Sequence, residues 1–246
     1  MKPSIKAIVL ILMGLFLYWQ IYNGTLLYYI SERFAWLTLL AAIGFIIVGA
    51  SYRYRAAPVH DHEHDHEHAS HQHGNLSWAG LLLIALPVIL GLLIPPKPLG
   101  AAAMSNREFG VGSVTSATAP KTNQLITRPA GDKNVLDWLI DFRLAKDPAA
   151  FSDQEAKVIG FVYRDDRFGQ DSFMVSRFVI SCCAADAAPL GLVVRWPEST
   201  GLANDAWVEI KGRFQPGEFD GEAMPFLIAE AVTPTDVPDQ PYLYPY

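Results

Sequence analysis

The sequence predicts a membrane protein with three α-helical spans and a C-terminal, mostly β domain, a small OB-like barrel with one leading helix. Hydrophobic residues make up 51% of the 246-residue chain and charged residues 18%, and the N-terminal part holds long uncharged runs. All seven histidines fall in one short segment between two of these runs. After them, the chain alternates apolar and polar residues, as half-buried β-strands do.

Three runs define a predicted membrane domain over residues 1–95, with spans at about 7–30, 34–52 and 76–94. A bilayer core about 30 Å thick needs roughly 20 residues of helix. Helices of a soluble core are the less favoured alternative, because such helices are rarely apolar on every side. Lys2 and Lys6 precede the first run, as in a secretory signal. The run is too long for a signal and no Ala-x-Ala site follows it, so we interpret it as a retained anchor.

The histidines lie in a predicted loop, residues 56–75, where they alternate with carboxylates. Imidazole binds zinc, copper, nickel and ferrous iron, and carboxylates add oxygen ligands. The pattern therefore predicts several loosely bound sites for zinc or another divalent transition metal, without fixing one geometry. The alternative is a solvated low-complexity connector. The predicted metal ligands are His60, Asp61, His62, Glu63, His64, Asp65, His66, Glu67, His68, His71 and His73.

The third span is followed by a predicted linker, residues 96–131, rich in Pro, Gly and small residues. A helical apolar stripe over 135–144 follows, with Asn134 or Asp132 as its cap and Pro148 beyond its end. Together with the strands after it, this helix forms the predicted domain over residues 132–246. Those strands are expected at 157–164, 173–180, 190–196, 207–214 and 226–232.

Gly160 and Gly212 lie inside two of these strands, where a barrel must bend. Five short strands with internal glycines favour a barrel of the OB type, and a β-sandwich is the alternative. From residue 131 to the C-terminus there are 10 Lys and Arg against 19 Asp and Glu, and 10 − 19 gives −9. A nucleic-acid backbone requires a basic surface, so nucleic-acid binding is not expected.

Positive residues near the span ends set membrane orientation. Four of them, Lys2, Lys6, Arg53 and Arg55, lie on the side of the N-terminus, against Arg33, Lys97 and Arg107 on the other. We therefore expect a multi-pass inner-membrane protein with a cytoplasmic N-terminus and an extracytoplasmic C-terminal domain. The second and third spans contain no Asp, Glu, Lys, Arg or His, although ion pathways usually need such residues. An accessory subunit with a pore-forming partner is therefore expected.

The adjacent pair Cys182 and Cys183 has three interpretations. Free cysteine is often a small buried hydrophobe. A vicinal disulfide would be strained, because neighbouring Cα atoms lie about 3.8 Å apart. The interpretation we adopt is a metal or partner site formed by Cys182, Cys183 and Asp186. Catalysis is not expected, since no histidine outside the loop could activate a cysteine nucleophile.

The segment "RFVISCCAADAAPLG", with the core R-x-x-I-x-C-C-x-A-D-A-x-P-x-G, resembles the YcgQ-like family of proposed two-component permease subunits. The strands "GFVYR" and "WVEIKGRF" and the segment "IPPKPLGAAAMSNR" also resemble that family, so the resemblance covers nearly the whole chain. It implies a bacterial membrane protein with a C-terminal domain of unknown function, a larger multi-span permease subunit as partner and a link to zinc. A membrane-anchored metal sensor or docking protein without a transport role is the alternative.

Overall fold

The computed structural model describes residues 3–54, 78–105, 128–145 and 147–244. The chain forms two compact units. The first comprises Met1–Leu26 and Glu32–Lys97, and the second comprises Leu27–Ser31 and Pro98–Tyr246. A short piece of the N-terminal region thus belongs to the C-terminal unit.

The first unit contains three apolar helices, α1 (Pro3–Tyr22), α2 (Ala35–Tyr54) and α3 (Trp78–Leu93). The predicted first span, 7–30, is wrong at its C-terminal end, because α1 ends at Tyr22. Gly24 follows with a φ of 71°, a left-handed conformation typical of helix ends. Its N–H donates to the carbonyl of Ile21 at 3.1 Å. The sequence Asn23–Gly24 therefore stops the helix before the apolar run ends.

Helices α1 and α2 approach closely at two glycines. A Cβ added to Gly14 would lie 2.7 Å from the carbonyl oxygen of Ala42, and one added to Gly49 would lie 3.1 Å from that of Ala7. Ala7 and Ala42 are themselves 2% exposed. Small residues of this kind let helix backbones pack tightly within membranes.

Two helices of the described residues are long and apolar enough to cross a bilayer, Ile5–Tyr22 and Glu32–Tyr52. Only 17% and 11% of their residues are buried, whereas a soluble core helix buries most of its surface. This exposure supports a membrane location, since lipid accommodates apolar side chains at no cost. The described part of α3 has 16 residues, and a third span remains a prediction.

The second unit is a six-stranded mixed sheet preceded by helix α5 (Val135–Ala145), while a shorter helix, α4 (Ala101–Ser105), lies earlier in the chain. All five predicted strands and the leading helix are confirmed. The strands are β1 (Glu155–Tyr163), β2 (Ser172–Val179), β3 (Ala188–Arg195), β4 (Trp207–Phe219), β5 (Glu222–Pro234) and β6 (Tyr242–Leu243).

The strand order is β1-β4-β5-β3-β2-β6, and β1 also pairs with β2. Strands β3 and β5 run parallel, as do β2 and β6, and the other pairs are antiparallel. The two predicted bend positions have distinct roles. A Cβ on Gly160 would lie 2.6 Å from the Ser176 carbonyl, so glycine permits the close approach of β1 to β2. The register of β4 against β5 shifts between Lys211 and Gly212.

Helix α5 packs on the sheet through fully buried side chains, among them Trp138 and Leu139. Asn134 caps it: the Asp137 N–H donates to Asn134 Oδ1 at 3.1 Å, and the Asn134 N–H donates to Asp137 Oδ2 at 2.9 Å. This is a capping box, so Asn134 and not Asp132 is the cap.

Residues 98–105, inside the predicted linker, pack in the second unit. Met104 of α4 is completely buried, and the Leu99 N–H donates to Tyr242 Oη at 2.9 Å. Alanine and methionine here face a β core instead of forming a flexible connection, and composition alone did not reveal this. Residues 106–127 of the predicted linker lie outside the described residues.

A candidate cysteine and carboxylate site

The candidate site is the turn between β2 and β3, which contains Cys182, Cys183 and Asp186. Ile180, which precedes it, is completely buried and anchors the end of β2 in the core. Cys183 is the N-cap of a short 3₁₀ turn, Ala184–Asp186, and forms a capping box with Asp186. The alanine-rich sequence thus turns tightly before Ala188 starts the next strand.

The carboxylate of Asp186 fixes the backbone of this turn. Its Oδ1 accepts from the Ser181 N–H at 2.9 Å, and its Oδ2 accepts from the N–H groups of Cys182 and Cys183 at 2.7 and 3.3 Å. One side chain therefore pairs three successive main-chain donors. Such pairing orders a loop that would otherwise present unsatisfied N–H groups.

The two thiols are free, and their sulfurs lie 3.7 Å apart. Cys182 is exposed and Cys183 half-buried, so the core-packing interpretation is wrong for both. The separation is also far longer than the roughly 2.05 Å of a disulfide. One candidate ligand atom each from Cys182, Cys183 and Asp186 lies within 4.8 Å of the others. The residues that the sequence grouped as a site are therefore together in space.

The two kinds of acid at the site shift each other's pKa in opposite directions. The hydrogen bond to Asp186, followed by the one to Cys183, raises the pKa of the Cys182 thiol to about 11. Burial alone would raise the pKa of Asp186, but hydrogen bonds from Cys182, Ser181 and Cys183 outweigh it and hold that pKa below its ordinary value. At neutral pH the carboxylate is charged and the thiol protonated, and a protonated thiol is a poor nucleophile.

The segment between α1 and α2 contacts this turn directly. Ile30 forms an antiparallel bridge with Cys183. The Ser31 N–H donates to the Cys182 carbonyl at 2.9 Å, and the Ala184 N–H donates to the Tyr29 carbonyl at 2.8 Å. Residues 29–31 thus act as a short extra strand against the cysteine turn. Sequence reasoning missed this contact, and the only signal was the Asn23–Gly24 stop inside an apolar run.

The C-terminal strand β6 fastens the same region. The hydroxyl of Tyr242 donates to the Tyr28 carbonyl at 3.0 Å while it accepts from Leu99. Arg177, the arginine of the motif around the cysteines, donates to the carbonyls of Ile159 and Gln240 at 3.2 and 2.7 Å. Burial lowers the pKa of its guanidinium to about 10. Arg177 therefore fixes the chain that leads into β6.

The predicted histidine ligands and their interleaved carboxylates, residues 60–73, lie outside the described residues. The structure therefore does not bear on the predicted metal loop, which remains a prediction. The cysteine turn is the only group of three or more His, Cys, Asp or Glu residues with metal-ligand proximity in the described ranges.

Comparison with known proteins identifies the family of the chain. The DUF1980 N-terminal domain matches residues 5–110 and the DUF1980 C-terminal domain matches residues 117–245. The chain belongs to the DUF1980 family, and the YcgQ-like resemblance is confirmed.

Two relatives illustrate the likeness. The chain is 25% identical to a Streptococcus mutans protein provisionally named a two-component membrane permease complex subunit, over 96% of this chain and 97% of the relative. It is 28% identical to the UPF0703 protein YcgQ of Bacillus subtilis over 102 residues, 39% of this chain and 35% of the relative. The likeness to the first relative covers the membrane helices and the β unit together.

Proposed function

We propose that this protein is the accessory membrane subunit of a two-component permease, and that it handles divalent metal of the zinc class. The observation that carries the first part is the end-to-end likeness to the Streptococcus mutans protein, whose name describes a permease complex subunit. A non-enzymatic role agrees with the raised pKa of the Cys182 thiol, which leaves little thiolate for nucleophilic chemistry at neutral pH.

The C-terminal unit is an OB-like barrel in this proposal. Strands β1, β4, β5, β3 and β2 pair in that order, and the pairing of β1 with β2 joins the last strand to the first. This ring of pairings supports a barrel over a β-sandwich, in which two separate sheets face each other. The acidic composition of the unit favours docking to a protein over binding to nucleic acid.

The proposed architecture has three membrane spans, because residues 27–31 and the rest of the C-terminal unit must lie on the same side of the membrane. Residues 27–31 follow α1, precede α2 and make their hydrogen bonds within the C-terminal unit. If α1 and α2 both cross the membrane, the chain must cross once more after α2 to bring the C-terminal unit to the side of residues 27–31. This requirement supports α3 as the third span. With the N-terminus in the cytoplasm, the histidine loop is cytoplasmic and the β unit extracytoplasmic.

The metal part of the proposal depends on the histidine loop, whose alternating imidazoles and carboxylates suit zinc or another divalent transition metal. A loop of this kind binds several ions loosely and concentrates them next to the pore of the partner. Protonation of imidazole near its ordinary pKa of about 6.5 releases them. The loop therefore supplies a local reserve of the cargo ion.

Purification of the full chain from native membranes tests this function. We expect a multi-span membrane protein to co-purify in stoichiometric amount. A matched variant with Asn at all seven histidine positions should retain the partner and the folded β unit but lose multi-site Zn²⁺ binding. An isolated oligomer without a partner would contradict the subunit role and favour the alternative, a membrane-anchored metal sensor. Unchanged Zn²⁺ stoichiometry in the variant would contradict the role of the loop.

A further inference from the structure

We infer that Cys182, Cys183 and Asp186 form an exchangeable site for one thiophilic divalent cation of the zinc class. The histidine loop is a different part of the chain with imidazole ligands, whereas this site lies in the β unit and offers sulfur. The inference rests on the proposed function only for its purpose, which is to hold cargo ions for the permease.

The spacing of the sulfurs suits chelation. Two thiolates bound to the same tetrahedral ion at about 2.3 Å each are separated by about 3.8 Å. Cys182 Sγ and Cys183 Sγ lie 3.7 Å apart and share a hydrogen bond. An ion that displaces both thiol protons to water therefore needs almost no movement of either side chain.

The carboxylate of Asp186 supplies the third ligand. A carboxylate has about four lone-pair positions, and the backbone N–H groups occupy two on Oδ2 and one on Oδ1. The Cys182 thiol also hydrogen-bonds to this carboxylate, and loss of the thiol proton to an incoming ion frees that position for the cation. Two sulfurs with one oxygen favour a borderline-soft cation such as Zn²⁺ over Mg²⁺ or Ca²⁺, which prefer oxygen alone.

The site is both ordered and open. The N–H groups bound by Asp186 and the pairing with Tyr29 and Ser31 fix its backbone, so little ordering remains for the ion to impose. Three ligands leave a tetrahedral shell incomplete, and structural zinc sites have four. Because Cys182 is exposed, water or a side chain of another protein can occupy the fourth position. An incomplete, exposed coordination shell permits fast release of the ion. A permanently bound structural ion would not need fast release.

The test uses the full chain in detergent, with Asn at all seven histidine positions to remove imidazole ligands. Co²⁺ is the probe, because sulfur-bound Co²⁺ has a charge-transfer absorption band that oxygen-bound Co²⁺ lacks, and Zn²⁺ should displace it. We expect one Co²⁺ per chain with this band. Cys182→Ser and Cys183→Ser should each weaken the band and the affinity. Asp186→Asn should retain the band while affinity falls about 10- to 100-fold.

Asp236→Asn, at an exposed carboxylate, is the matched control and should bind as the parent does. Thermal melting of each variant separates binding from folding. Absence of the sulfur band, equal affinity in the cysteine variants, or loss of affinity only in proportion to loss of fold would overturn the inference. Partner co-purification with the wild-type chain is independent of these results, so failure of the site and failure of the permease role are distinguishable.

Discussion

Asp186 has a structural and an electrostatic role at the cysteine turn. Its two oxygens accept three backbone N–H groups, and its charge opposes ionisation of the neighbouring thiol. A carboxylate that only positioned a cation would not need so many main-chain contacts. The turn is therefore ordered before any ion arrives, and the Cys182 thiol remains protonated until a cation or a high pH removes its proton.

The raised pKa of Cys182 predicts slow alkylation at neutral pH. Only the thiolate reacts with iodoacetamide, so the rate should keep rising with pH until about 11. Asp186→Asn removes the largest cause of the shift, so the midpoint should move to lower pH and the rate at pH 8 should rise severalfold. Mass spectrometry of the modified peptide measures both rates. Asp236→Asn should leave the profile unchanged, and equal midpoints in wild type and Asp186→Asn would contradict the prediction.

The local part of the site could be predicted from the sequence, and the distant part could not. A spacing of three residues between Cys183 and Asp186 places both in one turn, and the structure confirms their proximity. The pairing of Ile30 with Cys183 joins residues that are 153 positions apart, because 183 − 30 is 153. No periodic pattern records a contact of that kind, since it depends on the tertiary fold.

At the scale of elements, the strands and α5 were predictable because each buries one face. In the strands the buried face gives an alternation of apolar and polar residues, and in α5 it gives a helical apolar stripe. Strands β4 and β5 extend beyond the predicted ends since they form a hairpin around Asp220 and Gly221, where both residues have positive φ. Strand β6 has only two residues, too few for any period. The end of α1 was missed because apolar residues continue past the helix, into the segment that pairs with the cysteine turn.

The packing of α1 on α2 predicts opposite effects for two glycines. Gly14→Ala would place a methyl group 2.7 Å from the Ala42 carbonyl oxygen, and overpacking of this kind costs about 1–3 kcal/mol. Nothing lies within 4 Å of a Cβ at Gly44, so Gly44→Ala gains helix propensity, about 1 kcal/mol. We expect Gly14→Ala to lower the melting temperature of the detergent-solubilised chain and Gly44→Ala to maintain or raise it. Equal effects of both changes would show that the glycine contact is unimportant.

At the scale of the whole molecule, residues 27–31 lie between two membrane helices in sequence but belong to the β unit in structure. Their hydrogen bonds to the cysteine turn and to Tyr242 are made within the C-terminal unit. The composition and charge pattern could predict a membrane region and an acidic β domain. They could not reveal that the short link between α1 and α2 belongs to the domain, because apolar residues continue from α1 into the link.

The proposed topology predicts opposite locations for two reporters. A fusion after Arg55 should report the cytoplasm and a fusion after Tyr246 the opposite side, because α3 crosses between them. Paired alkaline phosphatase and green fluorescent protein fusions measure this, since each is active on one side only. A fusion after Gly24 should agree with the one at Tyr246. If Arg55 and Tyr246 report the same side, α3 does not cross and the three-span architecture is wrong.

The contact of residues 29–31 with the cysteine turn also has a consequence for biosynthesis. Ser31 leaves the ribosome 151 residues before Cys182, since 182 − 31 is 151. At 5–20 residues per second, the link between α1 and α2 waits roughly 8 to 30 s for its partner. Tyr242, which fastens the link, is synthesised after Cys182. Water must satisfy the link in the nascent chain until then, so the region closes only after Tyr242 has left the ribosome, and a product that stops before Tyr242 is left open at this point.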